Sequence, residues 1–310
     1  MGWTPPDLSD KTAVVAGATR GAGRGIAVAL GEAGATVYCT GRSTLAGRSP
    51  MDRPETIEDT AQQVTAAGGT GIAVAVDHLD AGQVRSLAAR VGALDVLVND
   101  IWGGDALIGW GTRFWEQDPD VSWGVLETAL RTHWNTAAIL APALREGGLL
   151  VEITDGDSYQ FRGHVLYDFV KTSIIRMAFG FAKDLADRAT AVALTPGFMR
   201  SEAMLEHFGV TAATWRDAVA KDPNFVASET PRFGGRALAC LAFDPDRHRF
   251  AGRALSSWGL SDVYGFPDLD GARPHWGHHA AKHFAVRPLD DAFYDYWTPY
   301  FEPGDAGNAA

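Results

Sequence analysis

Cysteine is scarce in this chain: only Cys39 and Cys240 occur among 310 residues. Both stand in apolar runs, which points to small buried hydrophobes and excludes a disulfide framework or a zinc-ligand pattern. Runs of Lys or Arg are missing too, and 27 basic against 38 acidic residues give a net charge of −11. That balance argues against a nucleic-acid surface, which needs a basic patch, and against a membrane-surface helix. The start, Met1-Gly2-Trp3-Thr4-Pro5-Pro6-Asp7, has neither a basic cluster nor an apolar stretch. No secretory signal or membrane span is therefore expected, and a reducing cytoplasm is the expected setting. Solenoid-period repeats and low-complexity linkers are also lacking. What remains, 46% hydrophobic and 21% charged residues, is the composition of an ordinary globular protein with a substantial core.

Short apolar runs alternate with longer amphipathic segments from about residue 10 onward. Strands are expected at 12–16, 36–40, 71–76, 95–98, 149–154, 190–194 and 253–257. Helices are expected after the first glycine turn and over 55–67, 83–91, 121–144, 167–187 and 234–242. Alternation of this kind predicts an α/β fold: a doubly wound parallel sheet, Rossmann-type, with helices on both faces. One domain over 1–262 is expected, followed by an aromatic-rich tail over 263–310 that packs on it or on a neighbouring subunit.

After the first strand comes Gly17-Ala18-Thr19-Arg20-Gly21-Ala22-Gly23 and then a helix. Glycines let a backbone approach a pyrophosphate, and free N–H groups at a helix start favour negative charge. The spacing is G-x-x-x-G-x-G. It resembles the glycine motif of the short-chain dehydrogenase/reductase family, and further matches follow in order. Asp77 stands where the family contacts the adenine ring, and Asn99 matches the first Asn of its N-N-A-G segment. Pro196-Gly197-Phe198 matches the P-G motif beside the nicotinamide, and Ser201 follows four residues after Gly197. The resemblance implies that Gly17, Thr19, Arg20, Gly21, Ala22, Gly23, Asp77, Asn99, Pro196 and Phe198 bind a nicotinamide dinucleotide. An NAD enzyme wants a carboxylate at the end of strand two, where this chain has Gly41 and then Arg42. Arg20 is a second cation, and two guanidiniums suit a 2′-phosphate, so NADP is preferred over NAD.

Tyr167 and Lys171 form Y-x-x-x-K, four apart on a predicted helix and so on one face. An ordinary tyrosine titrates near 10, and about 4 kcal/mol of preference for the anion would bring it near 7. A neighbouring ammonium and a positive nicotinamide ring supply that by charge attraction. By resemblance, Tyr167 is the acid/base, and Lys171 holds the nicotinamide ribose. The family's active-site Ser lies about thirteen residues before the Tyr, which places Thr154 in that role as substrate-oxygen donor. With a connection one residue shorter, Asp155 takes the place instead, and an ionised carboxylate only accepts. The family's relay Asn falls on Ala129, with Arg131 and His133 nearby as candidate substitutes for a surface role or a relay. Trp102 replaces a Gly of the N-N-A-G segment.

Trp102, Trp110, Trp115 and Trp123 follow strand four, where ligands bind in open α/β sheets. They read equally as an aromatic substrate pocket or as loop packing. The tail carries His275, His278 and His279, without a matching carboxylate or Cys pattern, so no metal is expected. Its second aromatic cluster runs from Phe293 to Trp297. The expected function is an NADP(H)-dependent oxidoreductase interconverting a carbonyl and an alcohol on a small apolar or aromatic substrate, in a homodimer or homotetramer. The alternatives are an NADP(H)-binding sensor with degraded catalysis and a dehydratase or epimerase on the same fold.

Overall fold

A computed structural model describes residues 3–49, 51–104, 107–158, 160–287 and 289–296. Its backbone winds through β1 (Thr12–Ala16), α1 (Gly21–Glu32), β2 (Thr36–Gly41), α2 (Ile57–Ala66), β3 (Thr70–Ala75), α3 (Ala81–Val91) and β4 (Leu94–Asn99). It continues through α4 (Pro119–Leu126), α5 (Thr132–Leu140), β5 (Leu144–Ile153), α6 (Val165–Asp184), β6 (Ala189–Thr195), α7 (Glu202–Phe208), α8 (Pro231–Phe243) and β7 (Ala254–Ser256). Three helices close the described chain: α9 (Ser257–Tyr264), α10 (Trp276–Phe284) and α11 (Asp291–Tyr296). The seven strands form one parallel sheet in the order β3-β2-β1-β4-β5-β6-β7.

Period two along each strand decides which face a side chain covers. Ala13, Val15, Val98, Val151 and Val192 join one core cluster with Leu30 of α1 and Leu238 of α8. Val14, Leu97, Leu150 and Ala191 join the other, with Leu87 of α3 and Leu140 of α5. Both faces are apolar, so the strands read as continuous hydrophobic runs. Each fully buried Val or Leu contributes roughly 1.5–3 kcal/mol.

Local chemistry starts the helices. Thr56 and Asp59 form a reciprocal capping box on α2, while Asp80 and Ser201 cap α3 and α7. On α1 and α8 the backbones touch, because a Cβ on Gly25 would lie 2.2 Å from the Pro231 carbonyl oxygen. Between α4 and α5 the helix widens into a π-helical turn, Glu127–Arg131, a device common at functional sites. β5 begins earlier than its sequence pattern indicates. Leu144 already pairs with Leu94, and an irregularity before Val96 absorbs the polar, glycine-bearing start Arg145–Gly148.

β1 has β2 on one side and β4 on the other, so the chain reverses its winding direction there. Loops from the two halves separate at that point and leave a crevice at the carboxyl ends of the strands. The body runs beyond residue 262: Phe266 is fully buried in the main core, and Asp268 is buried against Arg200 at 2.9 Å.

Candidate active site

The crevice is a cleft of about 870 Å³ that runs from the β1–α1 turn, past α6, to α10. At one end Gly17, Thr19, Arg20, Gly21 and Ala22 line it together with Arg42 and Asp77. Gly17 holds φ +89°, and a Cβ there would meet the Asp100 carbonyl oxygen at 2.3 Å, so the turn admits no side chain. At the start of α1 the Gly21 N–H already donates to a carboxylate, Glu202 Oε2, at 2.9 Å. That end of the helix is built to hold an anionic oxygen, as a dinucleotide pyrophosphate requires. A Cβ on Gly41 would lie 2.6 Å from Thr19 Oγ1, so a side chain at the end of β2 would have to displace that hydroxyl. Arg42 stands 3.9 Å from Asp77, and Arg20 binds Glu55 at 3.2 Å, which Arg53 also holds at 2.9 Å. Three guanidiniums thus face two carboxylates where an adenosine ribose would lie, and the residues present fit a nicotinamide dinucleotide.

Two of the residues expected to contact the dinucleotide lie outside the cleft lining. Gly23 and Asn99 are not among the cleft-lining residues. A Cβ on Gly23 would lie 2.3 Å from the Gly17 carbonyl oxygen, so this glycine spaces the turn from beneath. Asn99 is fully buried and donates to Glu152 Oε1 at 2.6 Å and to the His133 carbonyl at 3.3 Å. Glu152 in turn binds His133 Nδ1 at 2.5 Å, and His133 Nε2 donates to the Ile101 carbonyl at 3.0 Å. His133 is therefore a strut under the Asn99–Trp102 loop and does not line the cleft. Arg131 is likewise no relay: it is exposed and pairs with Glu127 one helical turn away. Ala129 is fully buried, while Thr128 of the π-helical turn and Thr132 at the start of α5 line the cleft.

The strand-end residue Asp100 also lines the cleft, and burial pushes its carboxyl up to about 7 against the pull of Lys171. Nothing in sequence order distinguishes it from a surface Asp. Pro196, Gly197 and Phe198 line the far side, as the P-G motif implies. Beneath them Glu229 accepts from Ser257 Oγ at 2.6 Å, and burial pushes its carboxyl up to about 8.

Tyr167 and Lys171 sit one turn apart on α6, and both line the cleft. The Tyr167 ring packs against Trp102 and Trp110, with centroids 5.5 and 5.3 Å away. Lys171 Nζ lies 4.5 Å above the Trp102 ring and 5.4 Å above that of Tyr167, within cation–π reach. Trp102, in the position of the family's Gly, thus meets the Tyr167 ring in a T-shaped contact, with an interplanar angle of 88°, and turns its face to the Lys171 ammonium. The Tyr167 hydroxyl donates to Asp155 Oδ2 at 2.9 Å. Thr154, expected opposite Tyr167, is instead captured by the helix: its hydroxyl donates to the Lys171 carbonyl at 2.7 Å. The side chain that meets the tyrosine hydroxyl is thus the carboxylate of Asp155, the alternative that a connection one residue shorter implies.

The cleft wall is aromatic. Trp102 and Trp110 line it with Phe198 and Trp258, while Trp115 and Trp123 are 62% and 66% exposed and do not. The tail supplies Trp276, Gly277, Ala280 and Phe284 from α10, and Trp276 packs on Phe198 at 5.8 Å. His275 accepts the His278 N–H at 2.9 Å as the cap of α10 and binds Asp262 at 3.1 Å. His279 binds Asn224 at 2.9 Å. Among the described residues no His, Cys, Asp and Glu cluster is arranged to hold a metal. In the second aromatic cluster, Tyr294 accepts the Ala254 N–H at 2.7 Å, and Trp297 lies outside the described residues.

Comparison with known proteins agrees with this geometry. The pattern of the short chain dehydrogenase family matches residues 11–208. "Dehydrogenase/reductase SDR family member 1" of mouse is 32% identical over 278 residues, covering 85% of each chain, and the human protein of that name is equally similar over 284. A 3-oxoacyl-[acyl-carrier-protein] reductase of Staphylococcus aureus is 30% identical over 202 residues, covering 62% of this chain and 76% of its own. Among solved structures, a short chain dehydrogenase from Mycobacterium thermoresistibile superposes with TM-score 0.69 at 21% identity, covering 86% of this chain and 91% of its own. A dehydrogenase from Xanthomonas campestris does so with the same score at 24% identity, covering 86% and 94%. The chain belongs to the short-chain dehydrogenase/reductase family of oxidoreductases, whose members usually use NAD(P)(H).

Proposed function

We propose that the protein is an NADP(H)-dependent oxidoreductase that interconverts a carbonyl and an alcohol on a small apolar or aromatic substrate. The observation that carries this reading is the Tyr167–Lys171 pair opening into the same cleft as the glycine turn. The bound dinucleotide supplies hydride exchange at its nicotinamide C4. The protein's own part is positional and protonic. Gly17 to Ala22 would cradle the pyrophosphate, Asp77 the adenine, and Pro196 and Phe198 the nicotinamide end. Arg20 and Arg42 would grip the 2′-phosphate, supported by the glycine in place of an acid at position 41. Tyr167 would exchange a proton with the substrate oxygen, and Lys171 would hold the ribose and favour the tyrosinate. Trp102, Trp110 and Trp276 supply an apolar wall that excludes water from the reacting oxygen.

A cytoplasmic setting fits the two free, buried thiols of Cys39 and Cys240. A homodimer or homotetramer is supported by exposed Val121, Trp123, Trp134 and Phe169 on α4, α5 and α6.

Tyr167→Phe removes the proton donor and leaves the dinucleotide contacts in place. Turnover of aromatic ketones should fall by about 10²–10⁴-fold, with NADPH affinity by calorimetry within about two-fold of wild type and tighter than NADH in both. Full activity in the variant would sink the mechanism. The acceptor opposite Tyr167 favours one second reading, an NADP(H)-binding sensor. Tight NADPH binding with no hydride exchange across a broad panel of ketones and alcohols would select it.

A further inference from the structure

Asp155 is the one group described above that conflicts with simple carbonyl chemistry. It receives the Tyr167 hydrogen bond at 2.9 Å, so an acceptor stands beside the acid/base. A carbonyl oxygen gaining negative charge needs donors around it, and a carboxylate offers none. An isolated ketone placed between Tyr167 and Asp155 would therefore meet one donor and one repelling anion.

The cation on the same connection does not relieve that conflict, and Lys171 is assigned to the nicotinamide ribose on the proposed reading. Arg162, on the same connection, is engaged by the carbonyls of Asp155 and Gly156 and by Asp168 at 2.9 Å. Asp157, two residues on, adds a second carboxyl to the cleft, with burial pushing it up. Carboxylate or phosphate substrates are thus disfavoured at this end. A substrate that brings its own donor is favoured.

We infer that Asp155 selects α-hydroxy ketones and their vicinal diols, accepting a hydrogen bond from the hydroxyl beside the reacting carbon. This rests on the oxidoreductase reading above. The geometry matches: Tyr167 Oη and Asp155 Oδ2 stand 2.9 Å apart, and the oxygens of a vicinal pair lie about one hydrogen-bond length apart. The reacting oxygen would face Tyr167 while the neighbouring hydroxyl replaces the tyrosine as donor to Asp155. Tyr167 is then released to give its proton to the reacting oxygen. The hydroxyl thus switches the tyrosine from a resting hydrogen bond to a working one. A substrate without the hydroxyl leaves Tyr167 tied to Asp155.

The test pairs an aryl α-hydroxy ketone with the same ketone lacking the hydroxyl, using NADPH and wild-type, Asp155→Ser and Asp155→Asn proteins. Wild type should prefer the hydroxy ketone by about 10–100-fold in kcat/KM, as a buried group left unpaired predicts. Asp155→Ser supplies a donor and should bring the ratio to about one or invert it. Asp155→Asn keeps an acceptor and should retain part of the preference. Calorimetric binding of the matching diol and mono-alcohol to the NADP-loaded protein reads the same selection without turnover. Tighter diol binding that disappears in Asp155→Ser supports the inference even where no ketone is reduced, in which case the oxidoreductase reading alone fails. Equal handling of the pair by wild type, a preference unchanged in Asp155→Ser, or binding of neither ligand overturns it.

Discussion

At the scale of single residues, the site is a set of carboxyls whose surroundings assign them different work. Asp155 meets the Tyr167 hydroxyl, Asp100 is half-buried in the cleft beside the glycine turn, and Glu229 is buried beneath Gly197. Glu229 gives a stability prediction. Burial raises its carboxyl from the usual 4.5 to about 8, so the folded protein holds a proton that the unfolded chain releases earlier. Its contribution to stability is fully present below the unfolded value and is lost as pH rises through about 8. Asp100, raised to about 7, acts in the same direction. Glu229→Gln keeps an acceptor for Ser257 and cannot titrate. Its melting temperature should fall less steeply than wild type between about pH 5 and about pH 9, the gap reaching a few degrees. Parallel melting curves across that range would refute the assignment. The shared face of Tyr167 and Lys171 was legible because four residues is one turn of any helix, and their place after the fifth strand marked the pair out. The partner of Tyr167 was not, because a one-residue difference in a connection has no signature in residue types.

Elements are positioned by what their surfaces permit. α1 and α8 approach until their backbones touch, through Gly25 on one and Gly235 on the other. A Cβ on Gly235 would stand 2.5 Å from the Gly25 carbonyl oxygen and 2.7 Å from the Ala29 Cβ. This close contact fixes the helix whose N-terminus, on the proposed reading, would receive the dinucleotide phosphates. Gly235→Ala should therefore destabilise the fold by about 1–3 kcal/mol through overpacking, measured by chemical denaturation, and should weaken NADPH binding as α1 shifts. A neutral result would mean that the helices part without cost. All seven strands were readable because β-rich apolar runs of four to six residues separate cleanly from helical periodicity. The long helix expected over 121–144 was readable only in part. Its π-helical turn at Glu127–Arg131 and the early start of β5 at Leu144 depend on packing against β4.

The whole molecule decides how the cleft ends. α10 comes from a segment whose sequence shows only scattered aromatics and histidines, yet Trp276, Ala280 and Phe284 form a wall of the cleft opposite Trp102 and Trp110. Removing residues 274–310 spares the sheet, Phe266 and the buried Arg200–Asp268 pair. The truncated protein should bind NADPH within about three-fold of wild type, since the glycine turn is untouched. Its KM for an aromatic ketone should rise about ten-fold or more, as expected from exposing one or two aromatic walls. An unchanged KM would show that the tail does not face the substrate.

The sequence by itself determined the parallel α/β architecture, the dinucleotide turn and the Tyr–Lys pair. Each follows from local rules: the period of apolar residues, the backbone freedom of glycine, the reach of one helical turn. Tertiary structure alone decided that Asp155 rather than Thr154 meets Tyr167, that His133 and Asn99 lie beneath the cleft, and that α10 closes it. Those are contacts between residues far apart in the chain or at the end of a connection of variable length. Their partners are set by how the sheet, helices and tail pack together, and no single segment carries that information.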